Sequence, residues 1–457
     1  MEEGPLNVGM VSLGCAKNLV DAEIMLGLLK EAGYNIVANE QEADVLIVNT
    51  CGFIEPAKEE AIDTILELAR WKEAGNCKAL VVTGCLSQRY GRELLDEMPE
   101  IDAVVGTGEF NGIAGIVDRV LSGERVFAVG VPEFLYDHRM PRLLSTPGHV
   151  AYLKIAEGCE NRCSYCVIPA IRGRFRSRTM ESVIEEARVL VDRGVKELIL
   201  IAQDTTRYGL DLYGKPSLAS LLRKLARIDG LTWARFLYTH PTGFTDELIE
   251  TVATESKICK YIDIPLQHID GEILRRMNRK PGPREIEDLI ARLKRDIPEV
   301  TLRSSFIVGF PGETEAAFSR LLDFIRDTRF DRIGVFKYSP EEGTAAAEMP
   351  GSVPEDIKEE RYRRVMELAR RISREKNEGK VGRVLDVLID GRAPESELLT
   401  VGRSQAEAPE VDGLIYIGND RPPAGEIRKV KITQAGDYDL VGEVIAGGRG
   451  DRHGSTD

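Results

Sequence analysis

The stretch 151-AYLKIAEGCENRCSYC-166 decides how the chain is read. Its first half is a short apolar run of the kind that forms a buried strand. Its second half places Cys159, Cys163 and Cys166 at a C-x3-C-x2-C spacing directly after that strand. Structural zinc sites close with four ligands, usually as two C-x2-C pairs, and no fourth cysteine or histidine follows closely here. A four-iron cluster held by three thiolates leaves one iron open to a substrate or cofactor, which gives an incomplete cage a use. The competing readings are a zinc knuckle completed from a distance by His240 or Cys259, and three unliganded thiols packed in one loop.

Downstream, ELILIAQD, ARFLYTH, YIDIPLQH, RSSFIVGFP and RIGVFKYSP repeat the strand pattern as far as about residue 348, separated by helical stretches such as 181-ESVIEEARVLVDRG-194. Six such units predict a partial (β/α) barrel, with the cysteine loop at the carboxyl end of its first strand, where barrel enzymes place their chemistry. A charged helix follows at 357–377, with Val365, Leu368 and Ile372 as its apolar stripe. The short strands beyond it, set at glycine-marked turns, predict a small antiparallel β-barrel.

Upstream, residues 8–106 alternate strands with helices. ADVLIVNT and KALVVTG are apolar throughout, as strands of a parallel sheet covered on both faces are. An open parallel α/β sheet is therefore expected. Cys15, Cys51 and Cys85 each follow directly on one of its strands. The carboxyl ends of such strands line one crevice, so these three thiols are expected to converge as a second metal-ligating set. Cys77 lies at the opposite end of the strand that Cys85 terminates, roughly 26 Å away. Cys77 and Cys259 read as incidental thiols. Prolines cluster at 132–150, which divides the chain into domains at 6–130, 145–374 and 376–446, with a disordered tail at 447–457.

A length of 457 residues with 43% apolar content fits about three domains. A net charge of −14 and an isoelectric point near 5.2 make a nucleic acid an unexpected default partner. The N-terminus MEEGPLNVGM lacks a signal-peptide pattern, and no uncharged apolar run is long enough for a membrane helix. A cytoplasmic protein is expected, in which eight cysteines point to metal or redox chemistry more than to disulfides.

At Cys159, Cys163 and Cys166 the sequence resembles the radical S-adenosylmethionine enzymes. The resemblance implies a [4Fe–4S] cluster whose open iron is chelated by S-adenosylmethionine, and reductive cleavage of that cofactor by a low-potential electron donor. It implies cofactor contacts at Tyr165, at Gln203 within 200-LIAQD-204, and at Arg303 and Gly309 around 305-SFIVGFPGETE-315. With the second cysteine set and the small terminal barrel, which is TRAM-like, the chain resembles the methylthiotransferase family up to about residue 446. That implies a second [4Fe–4S] cluster carrying the sulfur to be inserted, and two molecules of S-adenosylmethionine per turnover.

The segments SLGCAKNLVDAE and EGCENRCSYCVIPAIRGRFRSR resemble the branch that methylthiolates the β-carbon of an aspartate in small-subunit ribosomal protein twelve. Ala16 and Ala22 depart from its usual proline and serine. The other branch modifies a tRNA adenosine. Residues 376–446 hold 9 Lys/Arg against 13 Asp/Glu, a net of −4. That suits a basic ribosomal protein as partner better than RNA. A non-catalytic iron–sulfur protein that binds ribosomes is the alternative of another class. Arg172, Arg174, Arg176 and Arg178 alternate. In an extended chain they would project to one side, to meet carboxylates of a substrate or cofactor or to form structural ion pairs.

Overall fold

A computed structural model describes residues 4–445; the predicted tail at 447–457 lies outside the described residues. The first domain is a six-stranded, wholly parallel sheet in the order β2-β1-β3-β4-β5-β6. Its strands are β1 (Asn7–Ser12), β2 (Asn35–Val37), β3 (Val45–Thr50), β4 (Ala79–Gly84), β5 (Ala103–Val105) and β6 (Val126–Ala128). Every residue of β3 and β4 is buried, because helices cover both faces. Helices Ala16–Glu31 and Ile113–Leu121 pack on one side, and Glu55–Ala69 and Cys85–Glu97 on the other. The strand order reverses between β1 and β3, and such switch points open the ligand crevice of an open α/β sheet.

The second domain is a partial barrel. Its strands are β7 (Val150–Lys154), β10 (Glu197–Ile201), β11 (Trp233–Phe236), β12 (Tyr261–Asp263), β13 (Thr301–Val308) and β14 (Arg332–Lys337), with a small hairpin of β8 (Ala156–Glu157) and β9 (Arg176–Ser177) at the cysteine loop. The six form two parallel halves, β11-β10-β7 and β12-β13-β14, joined by the bridge Ala234–Ile258. Helices coat the outside around one large core. The charged helix spans Glu355–Glu378, and Val365, Leu368 and Ile372 are buried as its stripe requires. Among the described residues no strand pairs β7 with β14. Val150, Tyr152, Ile199 and Ile201 instead share a hydrophobic cluster with helix Ala16–Glu31 of the first domain.

The third domain is a closed barrel of β15 (Val384–Ala393), β16 (Ser396–Arg403), β17 (Ile415–Ile417), β18 (Ile427–Ala435) and β19 (Leu440–Val444). Four of its pairings are antiparallel as expected, while β17 and β19 run parallel. The segment between β16 and β17 lies across the amino-terminal ends of the central strands. Tyr261 donates to Asp412 (2.6 Å), Tyr152 to Glu410 (3.1 Å) and Arg235 to the carbonyl of Gln405 (2.8 Å). Glu197, at the start of β10, takes both Arg235 (2.9 Å) and Arg403 (2.7 Å). The third domain thus faces away from the cysteine loop.

Candidate functional site

The loop Cys159–Cys166 leaves β8 through Gly158, whose φ is +80°. A Cβ there would stand 2.0 Å from the carbonyl oxygen of Arg174, so only glycine lets the two strands of the hairpin meet. The loop is then held from three sides. Cys159 N–H donates to the Gly173 carbonyl (3.1 Å), Ser164 N–H to Met277 (2.9 Å), and Asn161 to Asp204 (2.8 Å). Arg279 aims a guanidinium N–H at Cys163 Sγ (3.5 Å). All three cysteines are half-buried. Burial raises the thiol pKa of Cys159 and carries that of Cys166 to about 12, with neighbouring thiols of the set adding to both shifts.

Tyr165 stands edge-on to Phe310, centroids 6.5 Å apart, in a pocket with Ile307, Tyr338 and Met349. Gly309, next to Phe310, donates its N–H to Glu313, which is also held by His268 (3.1 Å) and Arg361 (2.9 Å). Gln203 donates to Glu157 beside the cysteine loop, while its own Oε1 is buried without a partner. Arg303 lies on the opposite face of β13 from the core residues Leu302, Phe306 and Val308, and pairs with Asp263 (2.7 Å). Tyr165 therefore lies in the loop, Gln203 beside it and Gly309 one residue from the Phe310 that meets Tyr165, while Arg303 is committed to an internal ion pair further down the same strand.

Cys15, Cys51 and Cys85 lie at the carboxyl ends of β1, β3 and β4. The turns that carry them touch. Gly14 has φ +88°, and a Cβ on it would meet Cys51 Cβ at 2.8 Å. Asn18 bridges two of the turns, donating to the carbonyls of Leu13 and Thr50 (2.9 Å each). Burial raises the Cys51 thiol pKa and pushes that of Cys85 to about 11 against the pull of Arg172. Cys15 is the exposed member of the set; desolvation by the protein around it raises its pKa, but Lys17 and Arg172 outweigh that and the pKa falls below the ordinary value.

The two cysteine sets meet through one segment. Val167 and Ile171, directly after Cys166, pack on Cys85. Arg172, 2% exposed, reaches into the crevice to Asp21 (2.6 Å), Asn18 Oδ1 (2.7 Å) and Cys85 Sγ (3.3 Å). Lys154 pairs with Asp21 and with Glu157 (2.7 Å) in the same buried knot. Across the rim, Arg89 pairs with Glu341 (2.9 Å) on the loop after β14. The crevice of the first domain thus faces the carboxyl-terminal mouth of the barrel.

The four arginines do not project to one side. A helix at Ile168–Arg172 and the turn at Gly173 break the extended run. Arg172 turns into the crevice and Arg178 pairs with Glu186 across a buried surface, while Arg174 is exposed. Structural ion pairing describes Arg172 and Arg178. Cys77 is buried at the far end of β4, its Sγ against the Ala79 carbonyl (3.2 Å). Cys259 is buried beside Arg235 at the amino-terminal side of the barrel, away from the loop it would need to complete. His240 stands on the rim with Nδ1 against Thr242 Oγ1 (2.8 Å), its pKa pushed down to about 3 by burial and by Arg279 and Arg207.

Lys17, Asp21, Glu157 and Arg279 were not singled out by the sequence, although each contacts or flanks a cysteine set. The one signal available was their proximity in the chain to Cys15 and Cys159; Arg279 had none. Among the described residues no three His, Cys, Asp or Glu side chains converge on a point for a single metal ion. Thiolates at separate corners of a cluster have no need to do so. Two sets of three thiols, a cation against one sulfur of each, and an orphaned acceptor at Gln203 fit [4Fe–4S] clusters with S-adenosylmethionine at the barrel site. Gly158→Ala is expected to lower the iron and labile sulfide content per chain by about half, because the loop of one set is displaced.

A profile described as the uncharacterised protein family UPF0004 matches residues 7–106, that of the radical SAM superfamily residues 153–325, and that of the TRAM domain residues 381–445. Among solved structures, the radical S-adenosylmethionine methyltransferase TsrM from Kitasatospora setae, with cobalamin and a [4Fe–4S] cluster bound, has a TM-score of 0.54. It is 16% identical, over 84% of this chain and 80% of that one. This likeness is one of fold. The ribosomal protein uS12 methylthiotransferase RimO of Heliobacterium modesticaldum is 55% identical over 96% of this chain and 95% of its own length. RimO of Geobacter sulfurreducens is 53% identical over 98% and 100%. Identity of this extent across all three domains settles the assignment: the chain belongs to the RimO family of uS12 methylthiotransferases, radical S-adenosylmethionine enzymes with [4Fe–4S] clusters.

Proposed function

We propose that the chain methylthiolates the β-carbon of an aspartate of uS12, with Cys159, Cys163 and Cys166 holding the cluster that receives S-adenosylmethionine. Cys15, Cys51 and Cys85 hold the cluster that carries the sulfur. When bound, these groups supply hydrogen-atom abstraction from an unactivated carbon and the sulfur and methyl group that replace it, using two S-adenosylmethionine molecules per turnover. The observation that carries the reading is the segment Val167–Arg172, which begins one residue past Cys166 and ends against Cys85. It ties the two thiol sets together through a single short stretch of chain.

The chain's own groups have separate tasks there. Arg279 sets a cationic N–H donor against Cys163 Sγ. Tyr165, backed by Phe310, walls the side on which the cofactor's adenine would lie. Gln203 Oε1 is free to accept a hydrogen bond from the cofactor. Glu313 fixes the backbone at Gly309, and Arg303 stiffens the barrel through Asp263. Domain limits at 6–130, 145–374 and 376–446, a cytoplasmic location and an external low-potential electron donor belong to the same reading. No helix among the described residues is long and apolar enough to cross a membrane.

The acidic third domain favours a basic protein over tRNA. Reconstituted enzyme incubated separately with uS12 and with tRNA should add a methylthio group, seen by mass spectrometry, to uS12 alone. Modification of tRNA instead would reverse the assignment.

A further inference from the structure

Lys17 is 8% exposed, yet among the described residues its ammonium forms no ion pair and no hydrogen bond. Its buried cationic neighbours are all satisfied: Lys154 and Arg172 by Asp21, Arg142 by Glu23, Arg178 by Glu186. The Lys17 ammonium is not among the buried nitrogens that lack a partner, so it opens onto the crevice, where its charge also acts on the neighbouring Cys15 thiol. The contact Lys17 does make is with the ring of Tyr238, whose centroid lies 3.2 Å from Nζ. That attraction holds the ammonium in place without using up its three N–H donors.

The platform beneath it is imposed. Tyr238 follows β11 on the barrel rim and has φ +59°, a conformation a non-glycine residue keeps only where its surroundings require it. Asp263 holds its N–H (2.8 Å). Lys17 itself is the second residue of helix Ala16–Glu31, two positions past Cys15. The ammonium therefore stands where the sulfur-side crevice meets the barrel mouth, with donors to spare.

We propose that Lys17 binds the side-chain carboxylate of the target aspartate and so sets its β-carbon between the two cysteine sets. This rests on uS12 being the substrate. The carboxylate is one bond from the reacting carbon, so a charge-assisted hydrogen bond to it leaves that carbon little freedom. It also selects against a nucleobase, which offers no anionic group at that distance.

The test uses full-length enzyme carrying both clusters. Its Kd for uS12 is measured without reductant, and its kcat/KM with reductant, for wild type, Lys17→Met and Lys17→Arg. Each is paired with uS12 whose target aspartate is intact or changed to asparagine. Lys17→Met, or the asparagine substrate with wild-type enzyme, should each weaken binding and kcat/KM about 10- to 100-fold, the loss of one hydrogen bond between charged groups. The two changes together should be no worse than either alone, and Lys17→Arg should recover part of the loss. Lys17→Met that binds uS12 as wild type does, losses that multiply in the combined case, or iron and sulfide lost from Lys17→Met would overturn the proposal. Wild-type enzyme that thiolates tRNA and leaves uS12 untouched would instead overturn the substrate assignment, and the role of Lys17 with it.

Discussion

Cys163→Ala is expected to reduce 5′-deoxyadenosine formation below detection. With Cys163 gone two thiols remain in the loop, too few to hold a four-iron cluster with one open corner, and Arg279 loses the sulfur it faces. Cys51→Ala is expected to do something different. Its thiol belongs to the other set, held by the turns after β1, β3 and β4. Cleavage of S-adenosylmethionine should therefore persist while methylthio transfer to uS12 stops. Product analysis by mass spectrometry on both variants reads the two steps separately. If a folded Cys51→Ala protein with iron in its barrel loop also failed to form deoxyadenosine, the division of labour between the sets would be wrong.

The second large effect concerns the knot between the domains. Arg172→Met removes the guanidinium that serves Asp21, Asn18 and Cys85 at once. It leaves Asp21 and Glu157 sharing Lys154 alone. Breaking a buried pair on one side costs about 3–5 kcal/mol, because the other charge stays buried. The first thermal transition of the chain is expected to fall by on the order of 10 °C. Arg172→Lys should restore only part of this, since an ammonium cannot reproduce the planar fork. Calorimetry that finds Arg172→Met as stable as wild type would mean the knot contributes nothing to docking.

Much of this architecture is written locally in the sequence. Runs such as VLIVNT and ALVVTG announce strands buried on both faces, and the cysteines at their ends are legible because topology sends parallel strand ends to one crevice. The loop at 159–166 carries its own signature in its spacing. The knot was not legible. Asp21 and Arg172 are 151 positions apart, and nothing in 172-RGRFRSR-178 says that its first arginine turns inward while its second stays in solvent. The turn at Gly173 decides that, by a backbone reversal that alternation alone does not foresee. Lys17 was hidden for a related reason: its meaning depends on Tyr238, which belongs to another domain. Arg279 likewise acquires a role only when its loop folds back on Cys163.

The arginine at the end of the segment Val167–Arg172 also has a mechanical consequence. A clamshell that opened to admit its client would have to drag Arg172 and Lys154 out of a dry joint and leave Asp21 stranded. The first domain and the barrel are better described as riveted than hinged. The spacing between the two sulfur-bearing sites is then set by this joint rather than by a moving part. Adjustment then falls to the client: uS12 is expected to bring its aspartate to this joint on a segment that can deform.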